Sequence, residues 1–239
     1  MRALLDALGA PDRRMGTVIH VGGTNGKGST VAILGELARA AGARVARYTS
    51  PHLSTLRERI ELPEGMIEEE AFAAAADAVA AAGGDDFTFF EQVTAIACVA
   101  IAAAAPDVTV LEVGLGGRLD AVNIIDADAA IVTTVDLDHE EWLGRDRDSI
   151  GREKAGIFRA RRPAVVGDAA APAAVPEHAR AIGAQLVLAG RDYDWQVLEP
   201  GRWRWRSGDT VLDLPMPALA APVQLANAAA AIAALHALR

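Results

Sequence analysis

"GTVIHVGGTNGKGSTVAILGELARAAG", Gly16 to Gly42, decides the fold. Gly16 to His20 read as a buried strand, and Ser29 to Ala41 carry apolar residues at helical spacing. Between them Gly22, Gly23, Gly26 and Gly28 surround Lys27. Glycine loses more backbone entropy on folding than other residues, so such a cluster belongs where the chain needs positive φ or where a ligand touches the backbone. Strand, glycine turn and helix in that order aim the unpaired N–H groups of the first helical turn, and the positive end of the helix dipole, at the loop. Lys27 adds a full positive charge. The guest this implies is a phosphate. A plain tight turn would account for one or two glycines, but not for the lysine or its flanking hydroxyls Thr24 and Ser29. The spacing departs from the standard P-loop, because Gly22 lies five residues before Lys27 rather than six and Gly28 stands where a hydroxyl residue follows in that pattern.

Working outward, apolar strand candidates near 16–21, 43–48, 107–113, 129–135 and 163–167 alternate with helical stretches. This pattern predicts an α/β fold with a mostly parallel sheet flanked by helices. The Ala-rich stretches 71–82 and 228–237 are helical by propensity. Toward the end "YDWQVLEPGRWRWRSGDTVLDLP" alternates with period two, broken at Pro200-Gly201 and Ser207-Gly208-Asp209, which predicts a small antiparallel meander near 191–214. Trp203 and Trp205 among Arg202, Arg204 and Arg206 resemble a base-stacking platform; one apolar and one solvated face is the simpler reading. At 239 residues the chain is read as one domain, 1–239.

A net charge of -9 argues against a nucleic-acid partner. The single cysteine, Cys98, lies in the apolar run Val93–Ala105, so no disulfide framework exists and a reducing cytoplasm fits. That run is shorter than the ~20 residues a bilayer helix needs, and with no basic segment followed by an apolar core at the start, no signal peptide is expected. The reading is a cytoplasmic protein without a membrane partner.

Open parallel sheets bind ligands beyond the carboxyl ends of their strands. There the sequence places "YTSPHL" with Ser50 and His52, "LEVGLGGRLDAVN" with Glu112, Arg118, Asp120 and Asn123, and "TVDLDHEEWLG" with Asp136, Asp138 and His139. "IGREKAGIF" then opens a helix carrying Lys154. Singly these have plainer readings: a turn at Ser50-Pro51, a helix cap at Asp138, solvated charges at Glu112 and Lys154. Together with the phosphate loop they supply the hard oxygen ligands of a magnesium nucleotide, with Glu112 and the hydroxyls of Ser29 and Ser50 suited to the ion.

These motifs, in this order, resemble the folylpolyglutamate synthase and dihydrofolate synthase branch of the Mur-ligase superfamily. "HVGGTNGKGST" is similar to its phosphate loop, "YTSPHL" to its Ω-loop, "LEVGLGGRLDAVN" to its acidic motif, "LDHEEWLG" to its histidine motif and "EKAGI" to its lysine motif. "QLANAAAAIAAL" from Gln224 resembles the end of the family's first domain. Relatives read Asp-Ala-Thr-Asn in the acidic motif, whereas Val122 replaces the threonine here.

The resemblance implies an ATP-dependent acid–amino-acid ligase of folate metabolism. Its small-molecule substrates are dihydropteroate or a reduced folate, L-glutamate and ATP, and its reaction passes through an acyl phosphate. It implies that Gly23, Thr24, Asn25, Gly26, Lys27, Gly28 and Ser29 cradle the phosphates, with Asn227 near the adenine and Asp120 near the pterin. Ser50 and Glu112 would hold one Mg²⁺, and His139 a second shared with Glu112; Lys27, His139 and Lys154 form the catalytic set. An ammonium about 4 Å from Mg²⁺ would be repelled by roughly 8 kcal/mol at an effective dielectric of ~20, and relatives carry a carbamylated lysine at the position of Lys154. In the family the final helix leads into a second domain that supplies further ATP contacts and part of the glutamate site. The expectation is therefore an ATP-binding ligase domain with the C-terminal glutamate-ligase domain absent. The alternative is an isolated Mg-ATP-binding module or truncated fragment without complete ligase activity. A simple P-loop NTPase switch leaves Glu112, His139 and Lys154 unexplained.

Overall fold

Strands buried on both faces, as the central ones are here, can be satisfied only between two layers of helices, and the fold is built on that requirement. The computed structural model describes residues 1–199, 201–219 and 221–239, at Glu140 by its backbone alone. The chain begins with α1 (Arg2–Ala7), β1 (Thr17–Gly22), α2 (Lys27–Ala40), β2 (Val45–Tyr48), β3 (Ile60–Leu62) and β4 (Gly65–Met66). It continues with α3 (Glu69–Ala81), α4 (Phe89–Ala104), β5 (Val108–Glu112), β6 (Ala129–Val132), α5 (Glu140–Leu143) and α6 (Arg147–Ala155). It closes with β7 (Pro163–Val166), α7 (Ala174–Ala181), β8 (Gln185–Leu188), the three strands β9 (Asp194–Glu199), β10 (Arg202–Ser207) and β11 (Thr210–Pro215), and α8 (Val223–Ala237).

Eight strands form one sheet in the order β4-β3-β2-β5-β1-β6-β7-β8. From β2 to β8 every pairing is parallel, and β3 and β4 add an antiparallel edge. Register sets Val21 beside Glu112 on one side and Ile131 on the other, so β1, β5 and β6 end at one level. On one face Val18, Tyr48 and Leu111 pack with α3 and α4. On the other Ile19, Val21, Val110 and Ile131 meet α2 and α8, whose alanines let the helix sit close to the sheet. A third cluster joins β6 and β7 to α6 and α7.

The five expected strands are present, and the meander is the antiparallel sheet β11-β10-β9. Its expected break at Pro200 lies outside the described residues; the second break is the turn between β10 and β11. Trp203 and Trp205 are buried, and the Trp205 indole N–H donates to the Ala229 carbonyl at 3.2 Å. Arg204 pairs with Asp213 and Arg206 with Asp194. The base-stacking alternative is thereby excluded, since the indoles face α8 and not solvent. β3, β4 and β8 were not expected, and α2 begins at Lys27, two residues before the apolar periodicity starts. Likewise α8 begins at Val223, not Ala228. Among the described residues no helix is long and apolar enough to cross a membrane.

Candidate active site

The glycine loop bridges β1 and α2 without being slack. Its Thr24 N–H donates to the Thr134 carbonyl at 2.8 Å and its Asn25 N–H to the Thr134 hydroxyl at 3.0 Å. The buried Thr133 hydroxyl donates to the Asn25 carbonyl at 2.7 Å. Gly23 and Gly26 carry the positive φ values, 140° and 86°. A Cβ on Gly23 would lie 1.9 Å from Thr133 Oγ1, and one on Gly26 2.5 Å from Asn227 Oδ1. Both glycines are therefore fixed by their neighbours as well as by their backbone angles. Lys27 Nζ turns back to donate to the Gly23 and Thr24 carbonyls at 3.1 and 3.3 Å, placing its charge over the loop. From α8, Gln224 donates to the Ser29 hydroxyl at 3.2 Å and accepts from Asn227 at 2.9 Å. Asn227 thus flanks the loop at Gly26.

Glu112, at the end of β5, is 5% exposed, and burial raises its carboxyl pKa against the opposing effects of the Ser50 N–H and the Lys27 charge. Its Oε2 accepts the Ser50 N–H at 3.1 Å. Oε1 accepts nothing from the described residues and faces the start of α2, where a Cβ on Gly28 would lie 3.8 Å away. His139, at φ 50°, leaves its ring half exposed, with Nε2 3.7 Å from Asp138. Among the described residues no three His, Cys, Asp or Glu side chains come close enough to hold a metal together. A divalent cation beside Glu112 would therefore take most of its oxygens from phosphate, hydroxyl and water, as Mg²⁺ commonly does. A buried carboxylate with one oxygen unfilled fits that role.

Lys154 is 3% exposed, and its ammonium has no hydrogen bond or ion pair with a described residue. Burial first, and then the nearby charge of Lys27, lowers its pKa to about 8. Its helix is held in place: Asp146 caps it through the Ser149 N–H at 2.7 Å, and Gly117 lies so close that a Cβ there would meet the Glu153 carbonyl oxygen at 2.5 Å.

Beside the loop opens a cavity of about 860 Å³ that runs from Lys27 and Ser50 to Phe90, Thr88 and Asp120. Its walls are largely apolar, with Leu115, Leu119 and Trp142 at the mouth. Asp120 lines it, but its carboxylate already accepts the Leu115 and Val122 N–H groups at 2.8 and 2.9 Å. Burial raises its pKa, and those bonds oppose the shift. Arg59 also lines the cavity, and sequence reading passed it over. It stands in "LRERIEL", which reads as a solvated charge run. A strand signal at Ile60 would have turned it inward.

Residues 21–235 match the Mur ligase middle domain. The chain belongs to that family. It is 44% identical over 224 residues to the dihydrofolate synthase/folylpolyglutamate synthase of Escherichia coli (strain K12), covering 92% of this chain and 51% of that protein. A structure of Escherichia coli FolC in complex with DHPP and ADP superposes with a TM-score of 0.92 at 41% identity, over 99% of this chain and 56% of the other. A bifunctional folylpolyglutamate synthase/dihydrofolate synthase with Mn, AMPPNP and L-glutamate bound gives 0.88 at 40% identity, over 98% and 58%. The chain thus spans about half the length of the relatives it matches. In this Mur ligase middle domain the edge of the sheet brings together Lys27, Ser50, Glu112, Asp120, His139 and Lys154. Asn227 stands apart from the cavity, on the α8 side of the loop.

Proposed function

We propose that this domain is the nucleotide-binding part of an ATP- and Mg-dependent amide ligase that joins L-glutamate to a dihydropteroate or folate carboxylate. The observation that carries the reading is that one lysine, Lys27, belongs both to the phosphate loop and to the wall of the apolar cavity. A carboxylic acid lying in that cavity meets the γ-phosphate at Lys27. A carboxylate oxygen attacks the γ-phosphorus and ADP leaves; the glutamate amine then attacks the acyl carbon, phosphate leaves and the amine sheds a proton. Gly23 to Ser29 hold the phosphates through backbone N–H groups, and Lys27 neutralises charge on the transferring group. Ser50 and Glu112, with His139, would hold divalent cations, which supply charge neutralisation to the phosphates. Asp120 fixes the floor of the acid's site, and Asn227 lies on the nucleotide side of the loop.

Lys154 is proposed to carry a carbamate, formed when its neutral amine adds CO₂ and releases a proton. Its lowered pKa supports this. The matches to whole ligases favour this reading over that of a nucleotide-binding module alone, and the whole protein's activity is proposed on the same ground. Titration of the protein with Mg-ATP tests it. Lys27→Ala is expected to weaken binding at least several-fold through loss of a charge-assisted contact; equal affinity for wild type and variant would overturn it.

A further inference from the structure

We propose that Arg59 is a specificity-determining residue of the cavity, donating hydrogen bonds to the acceptor edge of an oxo-bearing heteroaromatic ring at the end of the acid substrate far from the phosphate loop. The inference rests on the ligase reading and adds to it the group that selects the acid.

Arg59 sits where β3 begins and is 8% exposed. A guanidinium that deep ordinarily pairs with a carboxylate, yet Arg59 forms no ion pair with any described residue. Its Nε–H donates to His52 Nδ1 at 3.0 Å, and its Cζ lies 5.8 Å from the Phe89 ring centre. The first contact uses one of five N–H donors, and the second steadies the cation over a π face without using any. The guanidinium also lies against the Tyr48 hydroxyl and donates to it; its remaining N–H groups have no partner among the described residues, and the cavity is the open space beside them.

The other charged groups of the wall are committed. Asp120 accepts two backbone N–H groups, Glu91 is bound by Thr88, and Glu153 by Arg118 at 2.9 Å. Near Arg59 the ring of Phe90 lines the cavity, with the fully buried Tyr48 packed against it at a ring-centre distance of 6.3 Å. A flat aromatic wall at Phe90 beside a cationic donor with N–H groups to spare suits a flat heterocycle bearing a carbonyl or ring nitrogen, not an aliphatic acid.

Position assigns the end. The strands β1, β5, β2 and β3 lie side by side, so the strand leading to Lys27 and the one opened by Arg59 are three spacings, about 14 Å, apart. A benzoate joined through a short bridge to a bicyclic ring spans a comparable length. With its carboxylate at Lys27, its ring reaches Arg59.

The test titrates the full chain with two probes, pteroate and 6-hydroxymethylpterin, the second of which lacks the benzoate. Arg59→Met is expected to weaken both by the same factor, about 10- to 100-fold for loss of a charged hydrogen bond, while Arg59→Lys recovers part of both. Lysine keeps a donor without the guanidinium's fork, so partial recovery separates recognition from a packing role, and it keeps the test available if the Met variant fails to fold. Weakening of pteroate alone would place Arg59 at the carboxylate end and overturn the inference. So would unchanged binding of both probes, or equal loss in the Lys and Met variants. In those cases the ligase reading stands; wild type that binds neither probe overturns both.

Discussion

Lys154 shows how far a single side chain can be moved by its surroundings. Burial and the positive charge of Lys27 act in the same direction, against the cation, and bring its pKa to about 8. At pH 8 about half of such side chains are neutral amines, against about 0.3% for an ordinary lysine. Only the neutral amine adds CO₂, so carbamate formation at Lys154 is expected to rise as pH increases from 7 to 9. With ¹³C-bicarbonate, nucleotide and Mg²⁺ present, carbon NMR should show a carbamate signal that is absent from Lys154→Met. A signal that survives the substitution, or none in the wild type, would remove the role. The lysine motif drew attention to Lys154 in the sequence, but the lowered pKa was not legible there: the neighbours that desolvate it come from separate segments. Arg59 was illegible for the complementary reason, since its burial depends on a three-residue strand, Ile60–Leu62, with too few positions to show a period.

At the scale of elements, legibility followed burial. β1, β5, β6 and β7 are covered on both faces and read as apolar runs, whereas β3, β4 and β8 are short strands of two to four residues with exposed or half-exposed positions, β4 and β8 forming the edges of the sheet. The helix start at Lys27 was missed because Gly28 has poor helical propensity, and tertiary ties from Thr133, Thr134 and Gln224 hold that turn in place. These ties yield a prediction about the loop. Gly23 and Gly42 both have positive φ, but a Cβ on Gly42 meets nothing within 4 Å while one on Gly23 would overlap the Thr133 hydroxyl. Gly42→Ala should therefore cost about 1 kcal/mol in backbone terms and leave nucleotide affinity unchanged. Gly23→Ala must displace the loop from β6 and is expected to lower ATP affinity by about 10-fold or more, since misplacing a positioned group by about 1 Å can cost on the order of 10²-fold. Calorimetric titration of both variants decides the matter; matching affinities would show that the loop tolerates displacement.

For the whole molecule, the sheet is a shared wall between three packed clusters, and what lies in its middle affects stability everywhere. His20 lies there, in β1 between Leu111 of β5 and Ala130 of β6. Its ring is fully buried, and neither nitrogen has a hydrogen-bond partner among the described residues. Burial, with the charge of Arg159 adding to it and Asp126 opposing, lowers its pKa from 6.5 to about 3. The folded protein thus resists a proton that the unfolded chain accepts. The stability tied to neutral His20 is fully present above pH 6.5 and is lost progressively as pH falls from 6.5 to 3. By linkage the loss reaches about 2 kcal/mol at pH 5, a sizeable part of the 5–15 kcal/mol typical of a folded domain. His20→Leu removes the titrating group together with two unmet polar atoms, and replacing unpaired buried polar atoms with apolar ones is near neutral or stabilising. Denaturant midpoints at pH 7.5 and pH 5 should therefore fall less on acidification in the variant, with the difference equal to about 2 kcal/mol. If wild type and His20→Leu lose the same stability between those pH values, His20 must find a proton acceptor in the folded state, and the acid sensitivity of the sheet would have to come from its carboxylates alone.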